Sequence, residues 1–127
     1  MLLAASLCSA TCGFFIAGPG LMRNARLTVT RTAGPNIELN GVRLSNTFIL
    51  EDVEVNSPSG GSAGRGIRAD AGLCGRRLRV TATGNAATSP AGILALGAVD
   101  LTDAQVVHTG TGSTAVLGGG GSILTVR

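Results

Sequence analysis

Gly66-Ile67-Arg68-Ala69 recurs 26 residues further along the chain as Gly92-Ile93-Leu94-Ala95, and a looser copy follows at Thr114-Ala115-Val116-Leu117. Each copy is followed by a turn of small residues and by a second strand-like segment. A pattern that returns at a period of roughly 22–26 residues is typical of a solenoid, in which each repeat forms one coil. The sequence therefore predicts an all-β fold, a parallel β-helix (solenoid) of about five coils.

The remainder of the chain contains short segments with the composition and length of β-strands. They are rich in β-branched and aliphatic residues and are separated by Gly, Asn, Ser and Pro. Val53 and Val55 alternate with Glu54, which predicts one buried and one solvated face. No stretch keeps the period of 3.6 residues that a helix needs. The predicted strands are residues 26–32, 36–44, 47–55, 66–69, 77–83, 92–96, 99–107, 114–117 and 122–126.

In a solenoid, the inward side chains at equivalent positions stack into columns about 4.8 Å apart. The repeat predicts that Ile67, Ile93 and Val116 form one such column. Glycine adopts positive φ without steric cost, so glycine is expected at the corners of the coils. The second expected column consists of Leu78 or Val80, Leu101 and Leu124.

The composition excludes several classes of protein. Glycine, alanine, threonine and serine make up 59 of the 127 residues, and the chain contains neither Trp nor Tyr. Strong helix formers other than Ala and Leu are scarce, which argues against a helical bundle. A module that stacks bases on aromatic side chains is disfavoured, so no nucleic-acid partner is expected. All ten basic residues are arginine, and the net charge is a mild +3.

Residues 1–22 form an apolar segment without a charged residue. The absence of a positive N-terminal region is unlike an ordinary secretory signal, and glycines and a proline interrupt the run too often for a transmembrane helix. A degenerate export signal and a strand at one end of the fold remain the two alternatives. We therefore divide the chain into the segment 1–22 and the β-solenoid repeats 23–127. Because no cap follows the last strand before Arg127, a piece of a longer solenoid or a truncated copy is expected.

The three cysteines are interpreted as small apolar residues. Cys8 and Cys12 could form a disulfide, which stays open as the alternative, while Cys74 lies inside the repeats. A zinc site is not expected, because the single histidine, His108, lies far along the chain from Cys8 and Cys12. His108 itself is expected to be a surface or turn residue.

The densest group of carboxylates is Glu51, Asp52 and Glu54. On a regular strand, Glu51 and Asp52 point to opposite faces, whereas Asp52 and Glu54 share one face. Carbohydrate-cleaving β-helices need such groups beside a bound sugar, but a solvated strand or turn is the simpler interpretation. Asp100 and Asp103 flank a turn and are expected to accept backbone hydrogen bonds there.

Arg76, Arg77 and Arg79 form the only tight group of basic residues. Arg77 and Arg79 share one face of a strand while Leu78 points the other way. A solvated face is the simpler interpretation, and contact with an anionic surface is the alternative. The glycine run 118–121 lacks the lysine and the helix of a phosphate-binding loop. No catalytic, cofactor-binding or metal-binding residue is predicted.

Four segments share one style of small-residue repeat, and together they resemble the passenger domains of pertactin-like autotransporters of Gram-negative bacteria. A further stretch, residues 36–56, shows the same style less clearly. The four segments are GIRADAG (66–72), LRVTATG (78–84), GILALGAVDLTDAQVVHTGTGSTAVLGGGG (92–121) and SILTV (122–126).

The resemblance implies a right-handed parallel β-helix that is secreted or displayed on the outer membrane of a Gram-negative bacterium, together with a C-terminal outer-membrane barrel. It implies a structural or adhesive role, a host surface or an extracellular polysaccharide as partner, and no cofactor. The Arg-Gly-Asp adhesion motif of some members is not carried over, since the nearest segments are Arg65-Gly66-Ile67 and Arg68-Ala69-Asp70. The alternatives are a fragment of a pectin-lyase-like, polysaccharide-active β-helix enzyme and a non-functional truncated gene product.

Overall fold

The computed structural model describes residues 5–7, 12–29, 39–62, 64–85, 91–118 and 123–127. All secondary structure in these ranges is β, as the sequence predicts. The strands are β1 (Ala5–Leu7), β2 (Cys12–Ile16), β3 (Gly20–Thr28), β4 (Leu39–Leu44), β5 (Phe48–Ser62), β6 (Gly64–Ala69), β7 (Leu73–Arg76), β8 (Arg79–Asn85), β9 (Ala91–Ala95), β10 (Val99–Thr102), β11 (Gln105–Thr109), β12 (Thr114–Gly118) and β13 (Leu124–Val126).

The strands form two sheets in which each repeat stacks on the next. The first sheet has the order β1-β2-β4-β6-β9-β12, and the second has the order β11-β8-β5-β7-β10-β13, with β3 also paired to β5. Among the described strands, every pairing is parallel except that of β1, which runs antiparallel to β2. Parallel pairing between strands one repeat apart defines a β-solenoid, so the predicted fold class is confirmed.

The solenoid has about three turns, and the expected count of about five coils is not confirmed. After β11, the described residues add only β12 and the three-residue β13. The described part of segment 1–22 contributes β1, β2 and the beginning of β3.

The first predicted column is confirmed. Ile67 pairs in register with Ile93, and Ile93 pairs with Val116. The column continues through Val42, which pairs with Ile67. Ile67 and Ile93 are fully buried, so the recurring isoleucine marks the inner face of the first sheet.

The second predicted column is wrong, because its members belong to different columns. A corner with one left-handed residue lies between β7 and β8, at Arg77, and between β10 and β11, at Asp103. Leu101 and Leu124 lie before this corner, whereas Leu78 and Val80 lie after it. The observed neighbours are Gly75 and Val126 for Leu101, Val99 for Leu124, and Val55 and Val106 for Val80.

The expectation that glycine supplies positive φ at the corners is confirmed at one described turn and is wrong for the corner between β7 and β8 and its equivalents. These equivalent positions have φ near +50°, and none of them is glycine. Positive φ at described glycines occurs only at Gly110 and Gly112, in the turn between β11 and β12. The corner residues are Asn24 (φ 51°), Asp52 (54°), Arg77 (47°) and Asp103 (52°).

Glycines of the first sheet have a different role, which is close packing between the sheets. The register places Gly41, Gly66 and Gly92 at equivalent positions in β4, β6 and β9. A β-carbon on Gly66 would overlap a methyl group of Val80 and would lie 2.7 Å from the carbonyl oxygen of Gly92. A β-carbon on Gly41 would lie 2.8 Å from that of Ser57. The recurring glycine therefore lets the second sheet approach the backbone of the first.

The last described strands leave apolar side chains exposed. Leu124 and Val126 are 51% and 63% exposed, whereas their neighbours Val99 and Leu101 in the preceding coil are 3% and 2% exposed. Strands β11, β12 and β13 contain no Asp, Glu, Lys or Arg. The three described strands at this end therefore expose apolar side chains and contain no charged residue, and Arg127 directly follows β13.

Candidate functional site

A groove of about 400 Å³ runs along the left-handed corner of the solenoid. It brings together carboxylates and arginines that lie far apart in the sequence. The residues that line it are Asn24, Ala25, Arg26, Asp52, Val53, Glu54, Arg77 and Arg79.

The corner itself is formed by equivalent residues of neighbouring coils. Asp52 lies within β5 and Arg77 lies between β7 and β8, both with positive φ. Short polar residues such as Asn and Asp tolerate this conformation better than most, which suits Asn24 and Asp52. Arg77 has no such preference, and its backbone N–H donates to the carbonyl of Thr102 in the next coil at 3.0 Å. The tertiary structure therefore holds Arg77 in its conformation.

The left-handed corner overturns one sequence prediction. Glu51 and Asp52 were expected on opposite faces, but both lie on the outside, between the buried Leu50 and Val53. The positive φ at Asp52 interrupts the alternation of a regular strand, so two successive side chains point outward. Asp52 and Glu54 were expected on one face, and both line the groove.

Charges around the corner alternate in sign from coil to coil. Equivalent positions pair an arginine of β3 with an acid of β5, and that acid with an arginine of the following coil. Glu51 and Glu54 therefore each lie between two arginines, whereas Asp52 lies between Asn24 and Arg77. The lower layer is Arg23 and Arg26, the middle layer is Glu51, Asp52 and Glu54, and the upper layer is Arg76, Arg77 and Arg79.

Arg77 and Asp52 form the most complete ion pair of this group. The Nε of Arg77 donates to Oδ1 of Asp52 at 2.5 Å, and Nη2 donates to Oδ2 at 2.8 Å. Nη2 also lies 3.5 Å from Oε1 of Glu51. This bidentate geometry matches the planar guanidinium to the planar carboxylate.

The arginines of the lower layer are paired as well. Nε of Arg23 donates to Glu51 at 2.6 Å. Nε and Nη2 of Arg26 both reach one oxygen, Oε2 of Glu54, at 3.0 and 2.9 Å. Arg79 is exposed and forms no ion pair with any residue in the described ranges. Among the described residues that line the groove, Arg79 is therefore the arginine without a carboxylate partner.

The pairing fixes the charge of both partners at neutral pH. The hydrogen bond from Arg77 lowers the pKa of Asp52 below its ordinary value, against the effect of burial and with help from the charges of Arg77 and Arg23. The hydrogen bond to Asp52 raises the pKa of Arg77. Asp52 is therefore an ionised acceptor, not a proton donor.

A second ion cluster, which the sequence did not suggest, lies on the first sheet. Asp70 accepts hydrogen bonds from Nε of Arg68 at 2.7 Å and from Nε of Arg43 at 2.8 Å. Arg43 also lies over the ring of Phe15, 5.7 Å from its centre. Burial raises the pKa of Asp70, but the two arginines more than offset this and lower it overall. Arg43 and Arg68 occupy equivalent positions in β4 and β6, a relationship that appears only once the register is known.

Asp100, Asp103 and His108 do not line the groove. Asp103 is a corner residue, whereas Asp100 lies within β10, 3.8 Å from Arg127. The expectation that His108 is a surface or turn residue is wrong, because His108 lies half-buried in β11. Its Nε2 is 2.7 Å from the carbonyl oxygen of Gly64.

The cysteines and the glycine run are described only in part. Cys74 is a half-buried free thiol, and Cys12 lies in β2. Cys8 lies outside the described residues, so the alternative Cys8–Cys12 disulfide stays a prediction. Gly118 ends β12, and the rest of the run 118–121 lies outside the described residues as well.

Within the described ranges, no three His, Cys, Asp or Glu side chains are grouped so that they could hold a metal ion. The same part of the chain has no helix of the length and apolarity needed to cross a membrane. No protein-family model, curated protein or solved structure matches this chain.

Proposed function

We propose that this chain is a structural segment of a secreted or surface-displayed passenger of the autotransporter type, which presents an interaction surface on a stack of coils. The observation that carries the proposal is the ladder of arginine–carboxylate pairs between neighbouring coils, from Arg23 and Glu51 to Arg77 and Asp52. These outward charges are engaged between coils, which suits a scaffold whose task is to stay stacked.

The fold supports a role as a stalk. In a solenoid, each coil contacts only its neighbours, so length can be added without a new core. Exposed ion pairs contribute little individually, about 0–1 kcal/mol each. Their position favours one register, because a slip by one residue would place Arg26 and Arg77 away from Glu54 and Asp52.

Cell-surface display tests the proposal directly. The chain, with an epitope at its N-terminus, would be fused to the translocating barrel of a well-behaved autotransporter and expressed in a Gram-negative host. We expect the epitope to be accessible to antibody and to protease on intact cells. A matched variant, Gly66→Val, should fold poorly because its side chain would meet Val80, and it should be displayed less.

Retention of the wild-type fusion inside the cell, while a known passenger on the same barrel reaches the surface, would contradict the proposed function. Equal display of the wild type and Gly66→Val would also count against it, because the folded stack would then be irrelevant to export.

A fragment of a polysaccharide-active enzyme is the second candidate. It is favoured by one observation: Asp52 and Glu54 line the same groove as Arg77 and Arg79. The test is release of unsaturated or reducing sugars from acidic polysaccharides by the purified chain, with Asp52→Ala as the variant. Activity that Asp52→Ala abolishes supports an enzyme, and a lack of activity in both proteins excludes this candidate for those substrates.

A further inference from the structure

One column of the groove repeats in the order cation, anion, cation. Arg26, Glu54 and Arg79 hold equivalent positions in three successive coils, and all three line the groove. Neighbouring strands are about 4.8 Å apart, so the two arginines are separated by roughly twice that distance along the solenoid axis. The groove therefore offers a positive position, then a negative one, then a positive one along a straight line.

The side chains at these positions favour different groups of a ligand, because the two arginines donate hydrogen bonds and Glu54 accepts them. Arg79 forms no ion pair with any described residue, and Arg26 has five N–H donors of which Glu54 receives two. Their planar guanidinium groups suit a carboxylate or a sulfate. Glu54 between them is an acceptor, so it suits a neutral group with a hydroxyl to donate. An anion opposite Glu54 would be repelled.

A chain of pyranose sugars advances, per sugar, by a distance close to the spacing between coils. A sugar chain along the axis would therefore place one sugar against each coil of the groove. Arg26 and Arg79 would face every second sugar, and Glu54 would face the sugar between them.

We propose that the corner groove binds a linear anionic polysaccharide in which a charged sugar alternates with an uncharged one. The inference rests on the proposed function, since it names the partner that the displayed surface takes. Its chemistry is a carboxylate or sulfate at Arg26 and at Arg79, with a hydroxyl donated to Glu54 between them.

Binding by the purified chain tests this inference without reference to display. The probes are octasaccharides of hyaluronan, with one carboxylate per disaccharide, octasaccharides of polygalacturonate, with one carboxylate per sugar, and a neutral dextran oligomer of equal length. Calorimetry at low ionic strength should show the tightest binding to hyaluronan, weaker binding to polygalacturonate and none to dextran. Single-stranded DNA with the same number of charges should bind more weakly than hyaluronan.

Three variants separate recognition from net charge. Arg79→Gln should weaken hyaluronan binding by roughly threefold to tenfold, the loss expected for one exposed charge-assisted contact. Arg127→Gln removes the same charge outside the groove and should change the affinity by less than twofold. Glu54→Gln should raise the affinity for polygalacturonate more than that for hyaluronan, because it removes the repelling anion.

Binding that follows charge density alone, with polygalacturonate or DNA ahead of hyaluronan, would overturn the inference, as would equal effects of Arg79→Gln and Arg127→Gln. The binding assay is to be run on purified protein that circular dichroism has first verified as folded, so its failure can be distinguished from a failure of surface display.

Discussion

His108 in β11 reaches across the interior of the solenoid, so that its Nε2 lies 2.7 Å from the carbonyl oxygen of Gly64 in β6. Its equivalent in the preceding coil is the buried Ala82, which pairs in turn with the buried Ser57. The column thus changes from small residues to an imidazole in the last coil. This contact links the two sheets where the stack is least covered.

The first prediction concerns this contact. His108→Ala should lower the free energy of unfolding by about 1–2 kcal/mol, because the donor to the Gly64 carbonyl is lost. His108→Gln can place an amide N–H near the same oxygen and should retain part of that stability. Urea denaturation followed by circular dichroism measures both. If alanine is as well tolerated as glutamine, the hydrogen bond has no stabilising role.

The second prediction concerns the recurring glycine of the first sheet. Gly66→Ala should cost about 1–3 kcal/mol, since its β-carbon would overlap Val80 and crowd the Gly92 carbonyl, so the sheets would have to separate. Gly18→Ala is the matched control, because nothing lies within 4 Å of its β-carbon. Thermal denaturation of the two variants should differ clearly. Equal melting temperatures would mean that the sheets adapt without cost.

Strand positions and the first column could be predicted because they depend on local pattern. The isoleucines at 67 and 93 share a repeated tetrapeptide, and Val53 and Val55 alternate with Glu54, so buried faces follow from spacing alone. The glycines at 66 and 92 begin two of the predicted strands, but their role in packing the sheets together does not follow from the pattern. Composition cannot distinguish a glycine that bends the chain from one that admits a neighbouring side chain.

The candidate groove could be predicted only in part. Asp52 and Arg77 lie in segments whose sequence predicts a regular strand. Nothing in the identity of Arg77 indicates a positive φ, because tertiary contacts impose that conformation. The left-handed residue shifts the alternation of inward and outward side chains at every position after it. The sequence pattern does not show this shift, so it predicts one column for Leu101 and Leu78. The ion pairs depend on coil lengths, and these become known only with the register.

The third prediction concerns acid. The two arginines lower the pKa of Asp70 in the folded state, so its ion pairs contribute stability above the ordinary carboxylate pKa of about 4 and lose it as pH falls through the lower folded value. Asp70→Asn should therefore destabilise the protein at pH 7 more than at pH 2.5.

Denaturant midpoints of wild type and Asp70→Asn at both pH values measure this effect. Asp100→Asn is the matched control, since Asp100 lies 3.8 Å from one arginine, Arg127, whereas Asp70 accepts hydrogen bonds from two. A loss from Asp70→Asn that is the same at both pH values would show that shape, not charge, explains it.

The fourth prediction concerns the left-handed corner. Asp103 has φ of 52° and is exposed. Asp103→Gly removes the steric cost of that conformation, whereas Asp103→Ala keeps a β-carbon and loses the polar group that tolerates it. The glycine variant should be more stable than the alanine variant by about 1 kcal/mol. Differential scanning calorimetry compares them, and the reverse order would show that the corner imposes no backbone strain.

The fifth prediction concerns the edge formed by the last described strands, which contain no charged residue. Val99 and Leu101 are covered by Leu124 and Val126 of the following strand, which are themselves 51% and 63% exposed. Exposed apolar edge strands without charge pair with other chains, and lysine on such strands prevents this. The double variant Leu124→Lys, Val126→Lys should therefore remain monomeric at concentrations at which the wild type self-associates.

Sedimentation velocity over a range of concentrations measures the difference in self-association. The control is Leu96→Lys, which places a charge on another exposed apolar residue, 44% accessible, in the turn after β9. If association used any exposed apolar side chain, Leu96→Lys would reduce it as well. Because an edge also offers unpaired backbone N–H and C=O groups, we expect only the double variant to remain monomeric. A wild type that stays monomeric throughout would show that the edge is already protected.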